Sequence, residues 1–107
     1  MTEEITRGSD NVFADLGLPN ADERQTKVRL AQEINRILED LRLNQTDIAG
    51  LLGINQPKVS ALMNFKLDGF SVERLMGFLV ALDRDVEIVI RRKPKKKQKA
   101  SLLVIAG

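Results

Sequence analysis

Residues 22–42 contain neither glycine nor proline, and their apolar residues fall at Val28, Ala31, Ile34, Leu38 and Leu41, with Leu30 and Ile37 alongside. That is the i, i+3, i+4, i+7 spacing of one face of an amphipathic helix. A helix with such a stripe has to bury it against other elements. The chain has 107 residues, enough for one small domain around that helix and not for two of ordinary size. Only 4% of residues are aromatic, four Phe with no Tyr or Trp, so the core must be aliphatic, built mainly from Leu, Ile and Val.

The rest of the chain is punctuated far more densely. Residues 1–20 are polar and broken by Gly8, Gly17 and Pro19, with room for one helical turn at Asn11–Leu16. Asn20 or Asp22 is expected to cap the long helix. Asn44 is a preferred cap for a second helix from Gln45 to Leu52, and Gly53 suits the left-handed residue that ends it. Asn55 caps a third helix over about 56–64, with Pro57 in its first turn, where a missing N–H costs nothing. A loop with a turn at Asp68-Gly69 leads to Ser71, the cap of a fourth helix that buries Val72, Leu75, Met76, Leu79 and Leu82. The period then changes from 3.6 to 2. Val86, Ile88 and Ile90 alternate with Glu87, Val89 and Arg91, which predicts a β-strand over 85–92. The expected fold is mainly α: four to five short helices and one C-terminal strand.

Several chemistries are excluded by composition. With no Cys and no His, the chain has no disulfide, no thiolate or imidazole metal site, and no histidine acid–base step. The acids Asp10, Asp15, Asp22 and Glu23 sit at caps and loops rather than in a cluster. The expectation is a protein that is not an enzyme and has no cofactor and no metal. No apolar run could span a bilayer, and Met1-Thr2-Glu3-Glu4 lacks the character of a secretory signal, so a cytoplasmic location is expected.

The net charge of +2 is unevenly spread. Residues 1–43 carry nine acids and six bases, a net of −3, whereas residues 85–107 carry two acids and seven bases, a net of +5. The basic excess lies in Arg91-Arg92-Lys93-Pro94-Lys95-Lys96-Lys97-Gln98-Lys99. Such a run serves either as an electrostatic arm for nucleic acid or as a solvated tail.

The first reading gains weight if the folded part also looks like a nucleic-acid binder, and the segment from Gln45 to Asn64 bears on that. Two short helices crossing at a steep angle need a small residue where they approach, a glycine in the turn, and apolar residues that lock both to the body. Ala49, Gly53, and the set Ile48, Leu52, Ile54, Val59 and Leu62 supply all three. What remains outward on the second of these helices is Gln56, Lys58, Ser60, Ala61 and Asn64, short or amide-bearing side chains suited to a DNA major groove. A helical hairpin that only packs would need the same apolar residues. The uncluttered, amide-rich outer face and the two polar caps favour DNA.

Asn44-Gln45-Thr46-Asp47-Ile48-Ala49 and Leu52-Gly53-Ile54-Asn55-Gln56-Pro57-Lys58-Val59-Ser60 resemble the helix-turn-helix of the phage-repressor-like XRE family. The resemblance covers about residues 22–82 and implies a lambda-repressor-like DNA-binding fold. Asn11–Leu18, the long first helix and Asp85–Ile90 look like a subgroup of HigA-type antitoxins, which pair with a small ribosome-associated mRNA endonuclease of the HigB/RelE type and repress their own operon. The resemblance therefore implies an autorepressing antitoxin of a type II toxin–antitoxin operon. A stand-alone XRE-type repressor, an RNA- or ribosome-associated adaptor, and an antitoxin that neutralises without binding DNA stay open. RNA recognition usually needs aromatic stacking platforms, and this chain has only Phe13, Phe65, Phe70 and Phe78 to offer.

Roles follow for individual residues. Gln56, Ser60 and Asn64 share a helical face and are candidate base contacts, amides favouring adenine, while Ala61 suits a thymine methyl. Gln45 and Thr46 are candidate phosphate contacts at a helix amino end, and Lys58 and Lys66 are sequence-independent phosphate contacts. Asn55 is expected to cap rather than read a base, and Asn64 can equally cap its own helix. Val86, Ile88 and Ile90 are candidate dimerisation residues, the strand pairing across a two-fold axis of a homodimer on an inverted-repeat operator in double-stranded DNA. The expected organisation is an N-terminal extension (1–21), a DNA-binding unit (22–84), a dimerisation strand (85–92) and a basic tail (93–107).

Overall fold

The structure is a computed structural model, and it describes residues 20–96 and 101–106. Its elements are α1 (Asn20–Leu41), α2 (Gln45–Leu52), α3 (Gln56–Met63) and α4 (Val72–Ala81). The expected helical turn at residues 11–16 lies outside the described residues. Helix α1 begins at Asn20, slightly ahead of the expected start, so Asn20 and Asp22 are helical residues rather than caps. Asp22 and Glu23 in its first turn instead complement the positive end of the helix dipole.

Each of the other helices starts and stops as its local sequence requires. The side chains of Asn44, Asn55 and Ser71 accept hydrogen bonds from the backbone N–H groups of Asp47, Lys58 and Arg74, three residues on. Pro57 lies within the first turn of α3. Gly53 closes α2 at φ 70°, with its N–H donating to the Ala49 carbonyl. Three further turns use the left-handed region without glycine: Arg42 at φ 55°, Phe65 at φ 59° and Asp83 at φ 63°. Beyond the latter two, the N–H groups of Lys66 and Arg84 return to the carbonyls of Ala61 and Leu79 at 2.9 Å, so backbone hydrogen bonds fix the turns that the side chains disfavour.

Helix α1 forms the floor, with α4 packed along it and α2 and α3 against each other above. Leu30, Ala31, Ile34, Ile37 and Leu38 of α1 meet Ile48 and Leu52 of α2, Val59 and Leu62 of α3, and Leu75, Phe78 and Leu79 of α4 in one buried cluster. Leu67, Phe70 and Leu82 complete it. Several expected core residues depart from this pattern: Leu41, at the end of α1, is 48% exposed, and Val28, Ile54, Val72 and Met76 are only partly buried at its edge.

The C-terminal segment departs from expectation. Residues 86–92, where a strand is predicted, carry no regular secondary structure, and no strand occurs among the described residues. The physical reason is that a strand is made by its neighbour, and this single chain brings no backbone ladder alongside. Val86 still packs on the core, whereas Ile88 and Ile90 are 76% and 91% exposed. Within the expected basic tail, Val104 packs against the core.

Candidate nucleic-acid interface

Both helices of the motif are fixed to the body by buried side chains. Val59 and Leu62, one turn apart on α3, are fully buried, and Ile48 and Leu52 are buried on α2. Ala49, in the small-residue position, packs against that cluster where the helices approach. A cross-link from α1 adds to this: the Asn35 side-chain amide donates to the Leu62 carbonyl at 3.2 Å, holding the last turn of α3. Nothing in the spacing of apolar residues marks Asn35, since it lies at the edge of the α1 stripe.

With the inward face of α3 committed, its outward side presents Gln56, Pro57, Lys58, Met63 and Asn64 to solvent, with Ser60 partly exposed. Ala61, a candidate thymine contact, is half-buried and packed against the core. Asn64 turns its amide nitrogen back on its own helix, donating to the Ser60 carbonyl at 2.8 Å and to the Ser60 hydroxyl oxygen at 3.4 Å, so it closes α3 and keeps its oxygen available outward. Asn55 spends its side-chain oxygen on the Lys58 N–H at 2.9 Å, the capping role expected of it.

The amino ends of α2 and α3 lie side by side. The Gln56 amide nitrogen donates to the Thr46 hydroxyl oxygen at 2.9 Å, joining residues ten apart in sequence. At the start of α2 the Asn44 cap satisfies the Asp47 N–H, whereas the Gln45 and Thr46 N–H groups have no partner within the helix. At the start of α3 the cap takes the Lys58 N–H and Pro57 has none to give, so α3 offers fewer backbone donors than α2. An anion is therefore better served at α2, where Gln45 and Thr46 lie exposed.

The cations are arranged less freely than the sequence suggests. Lys58 lies over the Phe70 ring at 5.2 Å from its centroid, and its ammonium donates to the Gly69 carbonyl at 3.5 Å. Phe70 meets Phe78 edge to face at 5.9 Å, and Arg74 covers the Phe78 ring at 5.3 Å. Lys58 thus ties the 65–70 loop to the start of α3 while remaining exposed at the surface. Lys66 is exposed just beyond the strained Phe65. Phe65, 43% exposed, is the one aromatic side chain open to solvent among the described residues. It lines an open cleft of about 240 Å³ with Glu23, Arg24, Lys27, Leu67 and Asp68. Among the described residues no acidic cluster able to hold a metal ion is present, and no helix is long and apolar enough to cross a membrane.

Comparison with known proteins agrees with this geometry. The sequence profile of a helix-turn-helix domain family matches residues 12–91. A solved structure assigned to the XRE family of transcriptional regulators superposes with a TM-score of 0.80 at 60% identity, covering 83% of this chain and all of that one. No functionally curated protein matches the chain.

Proposed function

The chain belongs to the XRE-type helix-turn-helix family of transcriptional regulators, and from that premise we propose that it is a sequence-specific repressor that binds an inverted-repeat operator as a homodimer. The observation that carries the reading is the division of α3: Val59 and Leu62 fully buried on one side, Gln56 and Asn64 exposed with Ser60 on the other. Gln56 and Ser60 read base edges in the major groove. Gln45 and Thr46 hold a phosphate at the amino end of α2, with Lys58 and Lys66 adding phosphate contacts. The operon role that fits the sequence best is that of an antitoxin repressing its own promoter beside a HigB/RelE-like toxin. The RNA-adaptor reading loses support from the burial of Phe70 and Phe78, which leaves no pair of exposed rings among the described residues to stack bases.

One helix reads only a few base pairs, so two copies are needed for useful specificity, with half-sites about 34–36 Å apart. Pairing of residues 86–92 across the two-fold axis would give Ile88 and Ile90 the cover they lack in one chain. The test is the Gln56→Ala variant, titrated on the operator and on random duplex. Loss of about 1–3 kcal/mol on the operator alone supports base reading. Equal loss on both duplexes refutes it.

A further inference from the structure

The hydrogen bond between Gln56 and Thr46 limits what Gln56 can say to a base. An unbound glutamine amide has two N–H donors and one carbonyl acceptor. With both donors available it can meet adenine, through one N–H to N7 and its oxygen to the N6 amino group, or guanine, by giving N–H groups to the N7 and O6 acceptors. In this protein one N–H is already committed to the Thr46 hydroxyl at 2.9 Å. One donor and one acceptor remain, which is adenine's pattern and not guanine's. Thr46 is well placed to impose this, since it lies in the first turn of α2, whose position is fixed by the buried Ile48 and by the Asn44 cap. Its hydroxyl keeps its own proton, so accepting from Gln56 does not cost it a donor toward a phosphate.

We infer that Thr46 is a specificity-determining positioning residue: by taking one amide proton of Gln56, it makes Gln56 a reader of adenine and a poor reader of guanine. This deepens, and rests on, the reading of Gln56 as a base contact. Fixing the amide in advance also removes the cost of immobilising a flexible side chain on binding, about 0.5–1.5 kcal/mol, or roughly 2- to 12-fold in affinity.

The test is selection from a random duplex pool by the full-length wild type and by the Thr46→Ser, Thr46→Val and Gln56→Ala variants, followed by titration of the selected duplexes. Valine matches threonine in shape but cannot accept the proton. The wild type and Thr46→Ser are expected to share one consensus, with an adenine in each half-site whose preference Gln56→Ala abolishes. Thr46→Val is expected to relax that position alone to either purine and to weaken binding to the selected site by roughly 2- to 12-fold beyond its loss on random duplex, which reports the phosphate contact that the hydroxyl also makes. Introduced beside Gln56→Ala, it is expected to leave the base preference unchanged and to weaken selected and random duplexes alike, which separates orienting Gln56 from the phosphate contact. A Thr46→Val protein that keeps the full adenine preference overturns the inference, even where Gln56→Ala loses it. So does a wild-type preference for guanine at that position. A Gln56→Ala consensus identical to wild type overturns the base-reading role and the inference together.

Discussion

Replacing Gly53 with alanine isolates a single physical term. The residue sits at φ 70° in the turn between α2 and α3, and a Cβ built on it meets no atom within 4 Å. No steric clash contributes, so the cost is the left-handed backbone itself, about 1–2 kcal/mol for a residue with a side chain. Against this, alanine restricts the unfolded chain and returns about 0.4–1 kcal/mol. The net expectation is a loss of about 0.5–1 kcal/mol. Arg42 provides the mirror image. It is exposed, ends α1 at φ 55°, and carries a side chain where glycine would be at ease. Arg42→Gly reverses both terms and should stabilise by about the same amount. Thermal unfolding should show shifts of opposite sign, each about 2–8 °C for a domain of this size, and urea titration should show unchanged slopes. A Gly53→Ala protein as stable as wild type, or an Arg42→Gly protein less stable than it, would refute the claim that backbone strain governs these turns.

Other perturbations probe the remaining parts. Leu75 is fully buried between α4 and α1, so Leu75→Ala should lower stability by about 2–5 kcal/mol in urea unfolding, and a loss under 1 kcal/mol would mean the core is loosely packed. Truncation after Lys93 removes Lys95, Lys96, Lys97 and Lys99; if the basic run contacts phosphates, the salt slope of DNA binding should fall by at most about four, and an unchanged slope marks it as a spectator. Ile88→Asp alters a side chain 76% exposed in the single chain, so it should leave the fold stable to within about 0.5 kcal/mol while sedimentation shows monomers. A folded variant that stays dimeric and binds DNA normally would place the interface elsewhere.

The parts of this fold legible in the sequence are those set by local chemistry. Asn44, Asn55 and Ser71 cap by contacts three residues away, and Gly53 answers a backbone angle of its own. The apolar stripes of α1 and α4 needed only the period of the helix. What escaped notice depends on long-range geometry. The Asn35 bond to Leu62 spans 27 residues, and the Thr46 bond to Gln56 crosses between helices, so neither leaves a pattern in one segment. Lys58 reads as a free cation in sequence because the Phe70 ring that covers it arrives from the next loop. Phe65 at φ 59° runs against residue preference, and the backbone hydrogen bonds from Phe65 to Leu62 and from Lys66 to Ala61 hold it in place. The strand at 86–92 failed for a related reason: period-2 spacing reports a surface that wants a partner, and the ladder itself belongs to that partner.

The most direct test of the central claim is the duplex consensus that the wild-type protein selects from a random pool. A reader built on paired α3 helices should enrich a short motif repeated with two-fold symmetry, its copies centred about 34–36 Å apart, or one turn of the double helix. A pool that emerges without any enriched sequence, its affinity set only by salt, would contradict the account.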